Sequence, residues 1–394
     1  MMNDARSRTP AIYLDHNAST PIDPAVAAAM RPYLDEAFGN PSSGHWASTP
    51  AKAALEKARS QVAGLLCCAP DEIVFTSGGS EANNLAIKGT FFALRHKGEH
   101  IVTTEVEHPA TLAPCRFLER LGAAVTYLPV DSTGQVDPED VRRALTPRTI
   151  LISVMHANNE VGTIQPIEEI GAIAREHGIR FHTDAAQSVG KIATKVDTLG
   201  VDLLTIAGHK LYAPKGVGAL YVRRGVMLEP LIHGAGHEHG LRAGTESALL
   251  AVGLGTACVL AEDLEPMTRI RALRDRLWDA LRDRYGERIV LNGDPEQRLP
   301  NTLNVSFVGQ VGADVLAGLE GVAVSTGSAC HAGRVELSPV LSAMGVSERV
   351  GMGAIRFSLG RTTTEEEIDA VIDRIGGRLL AMETPASADK EIQN

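Results

Sequence analysis

Asp202-Leu203-Leu204-Thr205-Ile206-Ala207-Gly208-His209-Lys210-Leu211-Tyr212-Ala213-Pro214-Lys215-Gly216 reads as a strand-length apolar run followed by a glycine- and proline-rich turn that carries a lysine. A run that is apolar almost throughout is the pattern of a strand covered on both faces. The pattern recurs at residues 72–76, 100–104, 125–129, 149–155, 180–183 and 218–222. Helical stretches separate these runs, at residues 51–66, 138–144 and 167–177 among others. Strands alternating with helices predict an α/β domain, with a mainly parallel seven-stranded sheet and helices on both faces. Such sheets take ligands at the carboxyl ends of their strands, where Lys210 falls.

Working outward, Asp23 and Pro24 predict the start of a helix over residues 25–38, as cap and first helical residue. Near residue 260 the rhythm changes. A long charged helix over 262–285 is followed by strands at 301–307, 323–326 and 355–359 and a closing helix from 364 to 382. We therefore expect a large α/β domain over residues 20–260 and a smaller α+β domain made of residues 1–19 and 261–394. Residues 385–394 read as a frayed end.

The chain has 394 residues, 44% of them hydrophobic and 22% charged, the composition of a globular protein with an ample core. A formal net charge of −10 argues against direct nucleic-acid binding, which needs a basic surface. No apolar run is long enough to cross a bilayer and the first ten residues lack a signal-peptide core, so a cytoplasmic location is expected. The five cysteines, Cys67, Cys68, Cys115, Cys258 and Cys330, include no Cys-x-x-Cys pair and read as free thiols.

Four stretches carry chemistry. Lys210, at a strand end with its amine partly desolvated, suits Schiff-base formation. His182-Thr183-Asp184-Ala185-Ala186-Gln187 ends another strand one crossover earlier, so Asp184 reaches the same crevice. An acid there can pair with a protonated pyridine nitrogen, the partner that makes pyridoxal phosphate an electron sink; the alternative is a helix cap. Phe75-Thr76-Ser77-Gly78-Gly79-Ser80-Glu81-Ala82-Asn83-Asn84 joins a strand to a helix and offers backbone N–H groups to a phosphate. It is neither a Walker loop nor a dinucleotide fingerprint. Ser325-Thr326-Gly327-Ser328-Ala329-Cys330-His331-Ala332-Gly333-Arg334 sets a cysteine in a small-residue loop, where His331 and Arg334 favour the thiolate. The other four cysteines lie in apolar helical contexts and read as buried.

Together these stretches resemble the cysteine desulfurases of the NifS/IscS-like type, in the class V aminotransferase group, whose fold is that of the fold-type I pyridoxal-phosphate-dependent transferases. The resemblance runs from Tyr13-Leu14-Asp15-His16-Asn17-Ala18-Ser19-Thr20-Pro21 to Ile355-Arg356-Phe357-Ser358-Leu359-Gly360-Arg361. It takes in Gly39-Asn40-Pro41-Ser42-Ser43, Glu107-His108-Pro109-Ala110, Met155-His156-Ala157-Asn158-Asn159-Glu160 and Gly240-Leu241-Arg242-Ala243-Gly244-Thr245. It implies that Lys210 carries pyridoxal 5'-phosphate and acts as base, Asp184 pairs with the ring nitrogen and Gln187 bonds the ring oxygen. It further implies that His108 stacks on the ring, that Gly79, Ser80 and His209 hold the phosphate, and that Thr245 reaches the phosphate of a neighbouring subunit in a homodimer. Asn159 and Arg356 would grip the substrate carboxylate, and Cys330 would be the nucleophile that takes sulfur from L-cysteine. A sulfur-acceptor protein, such as an iron–sulfur scaffold, is the implied partner; the sulfur would go to iron–sulfur cluster assembly or to thiolation of transfer RNA or other acceptors.

Three departures stand out. Ala207 replaces a hydroxyl residue frequent in the family, Ala235 a glycine, and His239 an arginine. The spacing His233, His237, His239 permits a metal, but no second ligand-rich cluster joins it, so no metal is expected. Two other readings remain at this stage: a related lyase or transaminase, such as a selenocysteine lyase, and a scaffold without turnover. The Cys330 loop argues against a transaminase, and the intact Lys210, Asp184, His108 and Cys330 set against a scaffold.

Overall fold

The computed structural model describes residues 11–326, 328–331 and 334–382; for residues 328–331, 334–335 and 376–382 it describes the backbone alone. Seven strands form the main sheet in the order Ile73–Thr76, Gly218–Val222, Leu203–Ala207, Arg180–Asp184, Thr149–Ser153, His100–Thr104, Ala124–Leu128. Only Gly218–Val222 runs against its neighbours. Five of the seven are buried at every residue, which is why they read as continuous apolar runs.

Helices cover both faces. Val62, Leu66 and Leu254 pack with Phe181 and Ile206 on one side, while Ile87, Phe91 and Leu118 pack with Ile101 and Leu151 on the other. The helix Ile167–His177 shows how locally this is encoded. Ile167, Ile170 and Ala174 are buried at helical spacing, Glu168 and Glu169 occupy its first turn, and Gly178 ends it in the left-handed region at φ 66°.

A second sheet of four strands, Ser325–Thr326, Ala354–Ser358, Thr302–Phe307 and Ile289–Asn292, lies against the long helices Glu265–Tyr285 and Glu365–Met382. Leu277, Leu281, Leu303, Phe357 and Ile368 form its core. Leu14 joins that core, and Ile12–Tyr13 pairs in parallel with Val322–Ala323, so the start of the chain is tied to its last third.

Three local expectations are corrected. The helix expected over residues 25–38 is two, Pro24–Met30 and Pro32–Asp35, because Pro32 has no N–H to continue the ladder. Cys67 is exposed; it caps the helix Thr49–Leu66 in a left-handed conformation at φ 56°. Ser328–His331 is a strand paired with Arg334–Leu337, Cys330 opposite Val335, so the backbone of the cysteine-bearing segment is hairpin and not irregular loop. The Cys330 side chain and residues 385–394 lie outside the described residues.

Candidate active site

The carboxyl ends of the parallel strands open onto a cavity of about 670 Å³. Gly79, Ser80, His108, Asn159, Asp184, Gln187, His209, Lys210 and Arg356 all line it. Nine of the residues singled out in the sequence are thus brought together from six separate segments.

The strand Ile73–Thr76 passes through Ser77 and Gly78 into the helix Gly79–Leu94. Gly78 has φ 150°, and a Cβ on Gly218 would lie 2.8 Å from Gly78 backbone atoms, so glycine at both positions lets the turn sit against the sheet. The helix's first N–H groups have no intrahelical acceptor and carry the positive end of its dipole. The same helix supplies Asn83, whose Nδ2 donates to Asp184 Oδ2 at 2.6 Å. Asp184 Oδ1 accepts the Ala186 N–H at 2.9 Å, so this buried carboxylate caps a turn and lines the cavity at once.

His108 precedes the helix Pro109–Glu119, and its Nδ1 accepts the Ala110 N–H at 3.1 Å. Nδ1 is therefore unprotonated and Nε2 carries the hydrogen of the neutral ring. The ring is open to the cavity but crowded by protein elsewhere; desolvation lowers its pKa, the Lys210 charge adds to this, and Asp184 opposes it. His209 bonds Ser19 Oγ at 3.3 Å and is pushed down to about 4 by burial and by the charges of Lys210 and Lys215.

Lys210 closes the turn Gly208–Lys210 after the strand Leu203–Ala207. Its Nζ donates to the carbonyls of Asn17 at 2.5 Å and Ala18 at 2.8 Å. Burial first, then the Arg356 charge, lower its pKa from 10.5 to about 8, against the pull of Asp15 and Asp184. Gln187 Nε2 donates to the same Asn17 carbonyl at 2.9 Å.

Arg356 stands in the small sheet, 8% exposed. Its Nη2 donates to Asp15 Oδ1 at 2.7 Å and Ser325 Oγ at 2.9 Å, and its Nη1 to the Asn159 carbonyl at 2.9 Å. The buried Nε has no partner among the described residues. A guanidinium held this way offers donors suited to a carboxylate.

Thr245 is not in this cavity. It is exposed and lines an adjoining one of about 250 Å³, which shares Ser77, Gly216 and Val217 with the first. Among the described residues no group of three His, Cys, Asp or Glu is placed to hold a metal, His233, His237 and His239 included. Asp15, Asn17 and Asn83 are site residues that sequence reasoning did not assign. Each lay inside a quoted motif, and that adjacency was the available signal. Cys115 and Cys258 are buried, and burial pushes the thiols of Cys68 and Cys115 up to about 12 and that of Cys258 also upward, so none is a ready thiolate.

Comparison with known proteins agrees with this geometry. The model of the class-V aminotransferase family matches residues 12–371. The chain is 51% identical to the cysteine desulfurase IscS of Dictyoglomus turgidum over 92% of this chain and 93% of that protein. It is 49% identical to the cysteine desulfurase IscS of Klebsiella pneumoniae over 92% and 91%. Among solved structures it is similar to a NifS-like protein, with TM-score 0.88, 39% identity and 94% and 100% of the two chains covered. It is also similar to SspA in complex with cysteine, with TM-score 0.80, 40% identity and 90% and 100% covered.

Proposed function

The chain belongs to the class-V aminotransferase family, and we propose that it is a pyridoxal-phosphate-dependent cysteine desulfurase that moves the sulfur of L-cysteine onto Cys330. The observation that carries this is the convergence of an amine of lowered basicity, Lys210, with the buried acid Asp184 and a glycine-rich helix start on one cavity.

The residues fit the cofactor. Gly79 and Ser80 at the helix start, with His209, suit its phosphate; Asp184, fixed by Asn83, suits the ring nitrogen; Gln187 and His108 suit the ring oxygen and face. Bound there, pyridoxal phosphate supplies a sink for the electrons left at the substrate's Cα when its proton departs. Arg356 and Asn159 hold the substrate carboxylate and so fix which bond at Cα is presented. Lys210, partly unprotonated near neutral pH, takes the Cα proton, a step typically worth about 10²–10⁴-fold. His108, with Nε2 protonated, stands ready to relay a proton at the cavity. The Cys330 thiolate attacks the substrate sulfur; an S–S bond forms and the C–S bond breaks. L-Cysteine and the Cys330 thiol thus become L-alanine and a Cys330 persulfide, with no external oxidant or reductant.

The same reading includes a division into residues 20–260 and residues 1–19 with 261–394, supported by the separate hydrophobic cores of the two sheets. It also includes a homodimer, in which Thr245, outside its own chain's cavity, serves the neighbouring one. Among the described residues no helix is long and apolar enough to cross a membrane, in keeping with a cytoplasmic enzyme handing sulfur to an acceptor such as an iron–sulfur scaffold or a thiolation protein.

The test mixes the purified yellow protein with L-cysteine and a thiol reductant and quantifies alanine and sulfide. Equal amounts from the wild type, lost in Cys330→Ala with the cofactor colour retained, are expected. Bound cofactor without sulfide release from the wild type would sink the proposal.

A further inference from the structure

Lys191 is a buried lysine that the mechanism above does not use. It follows the strand Arg180–Asp184 in the turn that also carries Gln187, and only 9% of it is exposed. Its Nζ donates to Gln187 twice, to the main-chain carbonyl at 2.9 Å and to the side-chain Oε1 at 3.1 Å. No carboxylate pairs with it among the described residues. Lys191 and Lys210 line one void of about 10 Å³, space for roughly one water, together with His16, Tyr212, Asn301 and Arg361. Burying a lysine without a counter-charge is costly, and a surface residue would serve a turn as well.

The bonds give it a task. A glutamine amide has a donor end and an acceptor end, and an ammonium only donates. With Lys191 on Oε1, the acceptor end is spent and the amide has one orientation. Nε2 places one hydrogen on the Asn17 carbonyl at 2.9 Å, which leaves its second hydrogen as what Gln187 offers the cavity.

We propose that Lys191 is a positioning residue for the reaction: it locks the Gln187 amide so that a donor is presented to the cofactor's ring oxygen. This rests on reading the cavity as the cofactor site. Desolvation lowers the Lys191 pKa to about 7, and the charges of Lys210 and Arg356 add to this; its charged and neutral forms both keep N–H groups to donate to Gln187. The titratable and charged groups around it are Lys210, Arg356, Arg361, His16 and Tyr212.

The effect has one sign: losing the donor to the ring oxygen raises the proton affinity of the Lys210 nitrogen joined to the cofactor. The experiment is a spectroscopic pH titration of the holoenzyme, following the visible cofactor band in the wild type, Lys191→Met and Lys191→Gln. Lys191→Met is expected to move the midpoint up by about one pH unit or more, a tenfold gain in proton affinity. Lys191→Gln, which keeps a donor, is expected to move it up by less. A role in stability alone would lower the melting temperature and leave the midpoint in place. Midpoints equal to the wild type's in the folded variants would overturn the inference and leave the desulfurase reading standing. A wild type that binds no cofactor would overturn that reading, and this inference with it. If Lys191→Met does not fold, Lys191→Gln decides alone, an unmoved midpoint refuting.

Discussion

The lowered basicity of Lys210 sets a measurable pH profile. An ordinary lysine with a pKa of 10.5 is unprotonated in about three molecules in ten thousand at pH 7, whereas an amine at about 8 is so in roughly one in ten. The structure therefore gives Lys210 about a 300-fold larger share of nucleophilic amine at neutral pH. The rate at which apoprotein takes up pyridoxal phosphate, followed by visible absorbance, should rise with pH and level off above about 8. Arg356→Gln tests the cause. It removes a cation that lowers the Lys210 pKa, and it frees the Asp15 carboxylate, which raises it. The two changes act in one direction, so the plateau should move up by about one unit, with about tenfold slower uptake at pH 7. A wild-type rate that keeps climbing past pH 9 without levelling would refute the lowered pKa. A profile unmoved by Arg356→Gln would leave burial as its sole cause.

Two further perturbations follow from the surroundings of the phosphate turn. Glu238, 4% exposed, holds both Arg59 terminal nitrogens at 2.7 Å and accepts the Phe75 N–H at 2.7 Å. Glu238→Ala takes the carboxylate from a partly buried guanidinium and an acceptor from the buried Phe75 N–H, and is expected to cost about 3 kcal/mol in urea unfolding; a loss under 1 kcal/mol would contradict the burial argument. Ala207, whose Cβ lies 3.1 Å from where a Cβ on Gly79 would stand, lines the cavity beside Gly79 and Ser80. Ala207→Ser is expected to tighten cofactor binding by about two- to tenfold, the worth of one added hydrogen bond, in a fluorescence titration of apoprotein; an unchanged or weaker affinity would show that the hydroxyl finds no phosphate.

Much of this architecture was legible because the parallel strands are buried on both faces and so write apolar runs into the chain. The elements that escaped lack that signature. Ile289–Asn292 is a short edge strand with an exposed and a half-buried residue in its middle, too brief to show a period. The break at Pro32 was readable, but the run of alanines before it dominated the pattern. In the site, Asp184 and Lys210, which line the cavity, were readable because reactive side chains at strand ends are conspicuous. Those that hold them were not, since Asp15 and Asn17 gain their roles only when distant segments meet.

Asn17 shows what that meeting accomplishes. Its carbonyl accepts from Lys210 Nζ and from Gln187 Nε2, while its own side chain donates to the Asn159 carbonyl and Thr302 Oγ1 and accepts from Asn301 Nδ2. Asn17 thereby joins Lys210 to the strand Thr302–Phe307 of the small sheet. It also explains the electrostatics. The nearest acceptors of Lys210 are two backbone carbonyls and not a carboxylate. A carboxylate at that distance would favour the ammonium and hold the pKa at or above its ordinary value. Carbonyl dipoles satisfy the N–H groups without supplying a full negative charge, so desolvation prevails and the amine is left partly free. The polar network that orients the lysine is thus also what leaves its amine partly unprotonated near neutral pH.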